Sequence, residues 1–310
     1  MKHIATAKKA LSPERPAPRA VLMNQEYDFD RESFYPSPEQ KILPSWALAL
    51  AGAVIATILG FFLWSRDDGG GNTVAVQLEA KYKACGSLLV YHQSNAKLPL
   101  PSKDETRVVF IGNSITSDWA NHGFEKIFLG KPYINRGISS EHTPQILCRF
   151  RPDVIALKPK VVVILAGTND IWFAHLHDVL GITRPSTFQA ITENIVSMAE
   201  MARANDILVV LASLAPVHDY KKDNDGKQIN LTAERPPDEI KALNEWIKAY
   251  AARSGHTYLD YHSAMVDKRG LLKEELSDDG LHPNDNGYAV MAPLAEQAIA
   301  IAQKSKPLQR

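Results

Sequence analysis

The sequence predicts an α/β domain, a parallel sheet with helices on both faces, preceded by one membrane-spanning helix. Three observations carry this. From Arg107 onward, short apolar runs rich in β-branched residues alternate with amphipathic stretches at helical spacing. The runs are continuous rather than alternating, as in strands buried on both faces. Upstream, Trp46 to Trp64 (WALALAGAVIATILGFFLW) is 19 residues without a charge, close to the roughly 20 apolar residues with which a helix crosses a bilayer.

Taken in order, residues 1–44 carry scattered Pro, Arg and Glu without a period and read as a disordered tail. Residues 45–65 form the expected transmembrane signal anchor, with a Trp at each edge of its apolar run. A cleaved signal peptide does not fit, because the apolar run and the segment before it are too long. Lys2, Lys8, Lys9, Arg15, Arg19, Arg31 and Lys41 precede the span, which places the N-terminus in the cytoplasm and the large C-terminal part outside it. Residues 66–74, containing DDGGGN, are a flexible linker. The domain then occupies 75–310, entered by a helix on which Leu78, Tyr82, Cys85 and Leu89 share a face and which Pro99 and Pro101 end.

Five strands are expected near Val108–Ile111, Tyr133–Asn135, Val161–Leu165, Ile207–Leu211 and Tyr258–Leu259. Helices fall near Pro144–Phe150, Thr187–Ala204, Pro237–Arg253 and Gly287–Ala302. Ile191, Ile195 and Met198 make one core stripe, and Ile240, Leu243, Ile247 and Tyr250 another. The stretch from His218 to Arg235 is long and polar, as site rims and lids often are.

Thirty-five basic residues balance 35 acidic ones, so neither a nucleic-acid binder nor a polybasic membrane-surface protein is indicated. Cys85 and Cys148 lack metal-ligand spacing. A disulfide and two free thiols both remain open for them.

The chemistry gathers at strand ends. RVVFIGNSIT reads as a buried strand turning sharply into a helix at Ser114. That turn lies at the carboxyl edge of the sheet, where open α/β sheets hold their ligands. Ser114 is also a plausible helix cap, a common use of serine. The second strand runs into Asn135-Arg136-Gly137-Ile138-Ser139-Ser140, the third into Gly167-Thr168-Asn169-Asp170, and Asp279-Gly280-Leu281-His282-Pro283 precedes the last helix. A serine hydroxyl needs a base within hydrogen-bond reach. His282 can be that base, and Asp279 can hold its other nitrogen and fix the tautomer. The Asn169 amide and backbone N–H groups at Ser114 and near Ser140 are candidate donors to an oxyanion.

These four stretches resemble the sequence blocks of the SGNH hydrolases, also called GDSL esterases and lipases. GNSIT matches the nucleophile block, NRGIS the second, GTND the third and DGLHPN the last. The resemblance runs from about Arg107 to Ile301 and is nearest to lysophospholipases and acyl-esterases. It implies a flavodoxin-like three-layer sandwich and hydrolysis of esters or thioesters without a metal or other cofactor. It implies Ser114 as nucleophile, His282 as base, Asp279 as its partner, and Asn169, Ser140 and Ser114 as oxyanion donors. Two positions depart from the pattern: Asn113 stands where the family usually has Asp, and Ser140 where it usually has Gly. Asn113, Gly137 and Trp172 are candidate pocket residues, with Trp172 and Phe173 as walls.

A G-x-S-x-G elbow is excluded, since Thr116 occupies the fifth position. His175, His177 and Asp178 lack further metal ligands and read as rim residues. Asn230-Leu231-Thr232 matches a glycosylation sequon. The expected substrate is a lysophospholipid or other acyl ester. The alternatives are an O-acetyl group on a surface glycan, or a lipid- or glycan-binding module without catalysis.

Overall fold

The structure, a computed structural model, describes residues 87–179, 187–222 and 226–305, with the backbone alone for 175–179. The expected tail, anchor and linker lie outside these residues, as does Cys85. Among the described residues, no helix is long and apolar enough to cross a membrane.

Five strands form one parallel sheet: β1 (Val108–Gly112), β2 (Tyr133–Gly137), β3 (Val161–Leu165), β4 (Leu208–Ala212) and β5 (Thr257–Leu259), in the order β2-β1-β3-β4-β5. Around it run seven helices that matter here: α1 (His92–Lys97), α2 (Ser114–Asp118), α3 (Thr143–Cys148), α4 (Thr168–Val179), α5 (Thr187–Ala204), α6 (Pro237–Ser254) and α7 (Asp285–Lys304). The strand order reverses direction at β1 and β3, and the loops leaving those two strands diverge there to open a crevice.

The three central strands, β1, β3 and β4, are apolar on both sides because each side has its own core. Val109, Ile111, Val162, Ile164, Val209 and Leu211 face one layer, with Ile146, Ile191, Met198, Leu243 and Ile247 from α3, α5 and α6. The intervening Val108, Phe110, Val161, Val163 and Val210 face the other, with Trp119, Phe124, Phe128 and α7 residues such as Met291 and Ala295. Trp119 stacks on Tyr288 at 5.1 Å between ring centres. The Tyr288 hydroxyl donates to the Ile115 carbonyl at 2.8 Å, which joins α7 to α2.

Three expectations are corrected. The leading helix does not run through Leu89: Ser87–Leu89 is a 3-10 turn, α1 begins at His92, and Leu89 is 69% exposed rather than on a buried stripe. The helix expected over Pro144–Phe150 breaks at Arg149, whose side chain turns inward to bond strand ends. And α4 has no counterpart among the expected helices, because its first turn, Thr168-Asn169-Asp170, is turn-forming chemistry in sequence. Gly167, at φ +124, makes the sharp entry into it from β3.

Candidate active site

At the end of β1 the chain has no room to spare. A Cβ on Gly112 would meet the Leu165 carbonyl and the Thr116 hydroxyl, both at 2.4 Å. The helix that follows is capped by Asn113, not by Ser114: the Asn113 carboxamide oxygen accepts the Ile115 N–H at 3.1 Å. Asn is among the best capping residues, and here it does the capping where the family usually places Asp. Ser114, the first residue of α2, is thus released from that duty. Its Oγ lies 2.9 Å from Nε2 of His282. Its backbone N–H belongs to the first turn, where such groups have no partner within the helix.

His282 Nδ1 meets Asp279 Oδ2 at 2.6 Å. The other carboxylate oxygen accepts the backbone N–H of Leu281 at 2.8 Å and of His282 at 2.7 Å. Burial pushes the Asp279 carboxyl up, but the His282 ring and these two N–H groups outweigh it and hold the group far below the usual carboxylate range. As a carboxylate Asp279 only accepts, which favours the tautomer with the proton on Nδ1 and leaves Nε2 free to accept one from Ser114. Ser277 shapes the same loop, donating to the His282 carbonyl at 2.7 Å and accepting the Gly280 N–H at 2.9 Å. Gly280 sits at φ +90, with His218 atoms 2.5 to 3.1 Å from where a Cβ would stand.

The second and third blocks meet on the other flank. Asn169 is buried and donates to the Glu141 carbonyl at 3.0 Å. An amide nitrogen carries two hydrogens, so one remains for another acceptor. Asp170 accepts the Thr143 N–H at 3.0 Å and its hydroxyl at 2.6 Å. Burial raises the Asp170 carboxyl, and these bonds clip the Ser140 loop to the start of α4. Ser140 has φ +64 and an exposed side chain. The position adopts the left-handed backbone that glycine takes most readily.

Gly137 is packed against the helix backbone: a Cβ there would stand 2.1 Å from the Ser117 nitrogen. Trp172 is half-buried on α4, and the Arg235 guanidinium lies 5.4 Å from its ring centre. Phe173 instead makes an edge contact with His142 at 4.9 Å. The side chains of His175, His177 and Asp178 lie outside the described atoms.

Sequence reasoning missed Arg149, Glu141, His218 and Arg235. All four are buried, and polar residues buried by pairing leave no hydrophobic period to betray them. Two of them do close the long polar stretch His218–Arg235 at either end.

The GDSL-like Lipase/Acylhydrolase family model matches residues 110–290. A protein of known structure from Bacteroides fragilis, provisionally assigned as an acylhydrolase, is 39% identical, over 69% of this chain and 96% of its own, with a TM-score of 0.60. A GDSL-like lipase from Bacteroides thetaiotaomicron is 38% identical, over 69% of this chain and 98% of its own, with a TM-score of 0.58. An acetylxylan esterase of Xylanibacter ruminicola is 26% identical over 228 residues, 65% of this chain. The chain spans 45% of that protein's length.

Proposed function

Because the chain belongs to the GDSL-like lipase/acylhydrolase family, a family of ester-bond hydrolases, we propose that its domain is a serine esterase that removes short acyl groups, acetyl above all, from carbohydrate. The observation that carries the mechanism is the unbroken hydrogen-bonded line from Ser114 Oγ through both nitrogens of His282 to Asp279. Ser114 attacks the ester carbonyl while His282 Nε2 takes its proton, and Asp279 stabilises the imidazolium. The oxyanion of the tetrahedral intermediate is met by the second Asn169 amide hydrogen and by the Ser114 and Ser140 N–H groups. His282 then protonates the departing alcohol. Water, deprotonated by His282, releases the acid from the acyl-enzyme.

The acetyl assignment draws its support from the acetylxylan esterase relative. A lysophospholipid is the second candidate, and the membrane-length run at residues 46–64 favours it. In either case we place the domain outside the cytoplasm, tethered by that run.

The test is covalent labelling of the full chain, purified in detergent, with a fluorophosphonate probe, beside Ser114→Ala and His282→Ala. Labelling at Ser114 that requires His282 is expected, with acetate released from acetylated xylo-oligosaccharides faster than fatty acid from lysophosphatidylcholine. A folded protein that takes no label and still binds glycan or lipid would make the domain a binding module instead.

A further inference from the structure

Against Trp172, on the helix that carries Asn169, lies a buried cation that ester cleavage, as set out above, does not use. Arg235 closes the single turn Leu231–Glu234 in the polar stretch between β4 and α6, and is 5% exposed. That turn is fixed to the site. The Asp219 carboxylate accepts both the Thr232 N–H, at 2.9 Å, and the Thr232 hydroxyl. One residue back, His218 donates its backbone N–H to the Gly280 carbonyl at 2.9 Å, inside the loop that carries Asp279 and His282.

The guanidinium packs on the Trp172 ring, three residues along α4 from Asn169 and so on the same helix face. Nη1 pairs with Glu234 at 3.0 Å, a carboxylate 51% exposed to solvent. Nε is buried and has no hydrogen-bond partner among the described residues. A guanidinium presents five donors in a planar fork suited to carboxylate or phosphate. A buried charged donor without an acceptor is costly, and packing against Trp172 alone does not call for one.

We propose that Arg235, backed by Trp172, is the subsite for the alcohol side of the ester, and that it takes an alcohol bearing an oxyanion, either a carboxylate or a phosphate. The inference rests on the esterase assignment and narrows its substrate. The carboxylate would come from an acylated uronate sugar, the phosphate from a glycerophosphate headgroup.

The experiment is calorimetric binding to the full chain in detergent, which needs no turnover. D-glucuronate is compared with D-glucose, and glycerol 3-phosphate with glycerol. In at least one pair the charged member should bind tighter by about tenfold or more, the worth of one charge-assisted hydrogen bond. A preference within the first pair assigns an acidic sugar, and one within the second a phosphate headgroup. Arg235→Gln should bring the ratio to within about twofold of one, and Arg235→Lys, a point charge without the fork, should leave part of it. Equal binding within both pairs overturns the inference, and so does a preference that survives Arg235→Gln. The wild-type comparison decides by itself should the variant not fold. Failure of the esterase assignment shows separately, as absence of Ser114 labelling.

Discussion

Gly137→Ala is the sharpest test of how the site is held. The added methyl would stand 2.1 Å from the Ser117 nitrogen and 2.5 Å from the Thr116 carbonyl carbon. Both are backbone atoms, so no side chain can swing aside. Ordinary contact begins near 3.4 Å, which leaves a shortfall of more than 1 Å that only relative movement of β2 and α2 can absorb. Ser114 opens α2, and Ser140 follows β2, so either movement pulls the nucleophile away from the loop of the second block. A misplacement of about 1 Å can cost roughly a hundredfold in rate, while overpacking of this kind costs about 1–3 kcal/mol of stability. The measurement is the rate of acetate-ester turnover per mole of folded enzyme, with folding followed by circular dichroism and thermal unfolding. The expected result is a folded protein with a lowered melting temperature and a rate reduced by about two orders of magnitude. A variant with unchanged stability and a rate within about threefold of the parent would refute the close packing and the link drawn from it.

Three further outcomes follow from particular residues. Ser140→Gly removes a left-handed strain of about 1–2 kcal/mol and adds about 0.4–1 kcal/mol of unfolded-chain entropy; since the serine side chain is exposed, the net is a gain of about 0.5–1 kcal/mol, read as a rise of roughly 1–4 °C by calorimetry, and a fall would contradict the φ. Asn113→Ala should cost about 1 kcal/mol through the lost cap, whereas Asn113→Asp keeps an acceptor for Ile115 and should retain Ser114 labelling; equal melting temperatures for the parent and the Ala variant would show that the cap does not order α2. Asp279 has a depressed folded-state pKa, so its ionised form contributes stability above the unfolded value near 3.9 and that contribution is lost as pH falls below it. Asp279→Asn should therefore be less stable than the parent at pH 6, with the gap in melting temperature narrowing toward pH 3, and a gap that widens on acidification would have the sign wrong.

Much of the fold was legible because a parallel sheet writes itself as unbroken apolar runs. Val161–Leu165 and the helix Thr187–Ala204 agree residue for residue with expectation. Boundaries moved where backbone geometry decided them: β2 runs on to Gly137, since the absence of a side chain lets it lie against α2. Three of the chemistry-bearing stretches were visible as strand ends and the fourth as the turn before the last helix, but which atom caps α2 was not. Ser and Asn are both good caps, and only the structure gives that role to Asn113. α4 was hidden because Thr168-Asn169-Asp170 is loop chemistry in sequence and a first helical turn in space. Arg235 escaped notice for the converse reason: it closes a polar stretch that reads as exposed.

Beneath the site one side chain joins what the sequence keeps apart. Arg149 is fully buried. Its Nη2 donates to the Gly112 carbonyl at 3.0 Å, two residues before Ser114. Nη1 donates to the Arg136 carbonyl at 2.8 Å, and Nε donates to Glu141 at 2.6 Å, directly after Ser140. Burial pushes the Glu141 carboxyl up, and the Arg149 charge works against that. Ion pairs this deep add little net stability, because desolvation consumes most of the attraction. What a rigid fork does supply is position: three donors on one plane fix the end of β1, the end of β2 and the loop beyond it relative to one another. The network also reaches the segment upstream of the sheet. Asn95 donates to Asp153 at 2.6 Å and accepts from Arg136 at 2.9 Å, and the Tyr91 hydroxyl donates to the Gly137 carbonyl. This upstream stretch thus grips the strand whose loop carries Ser140.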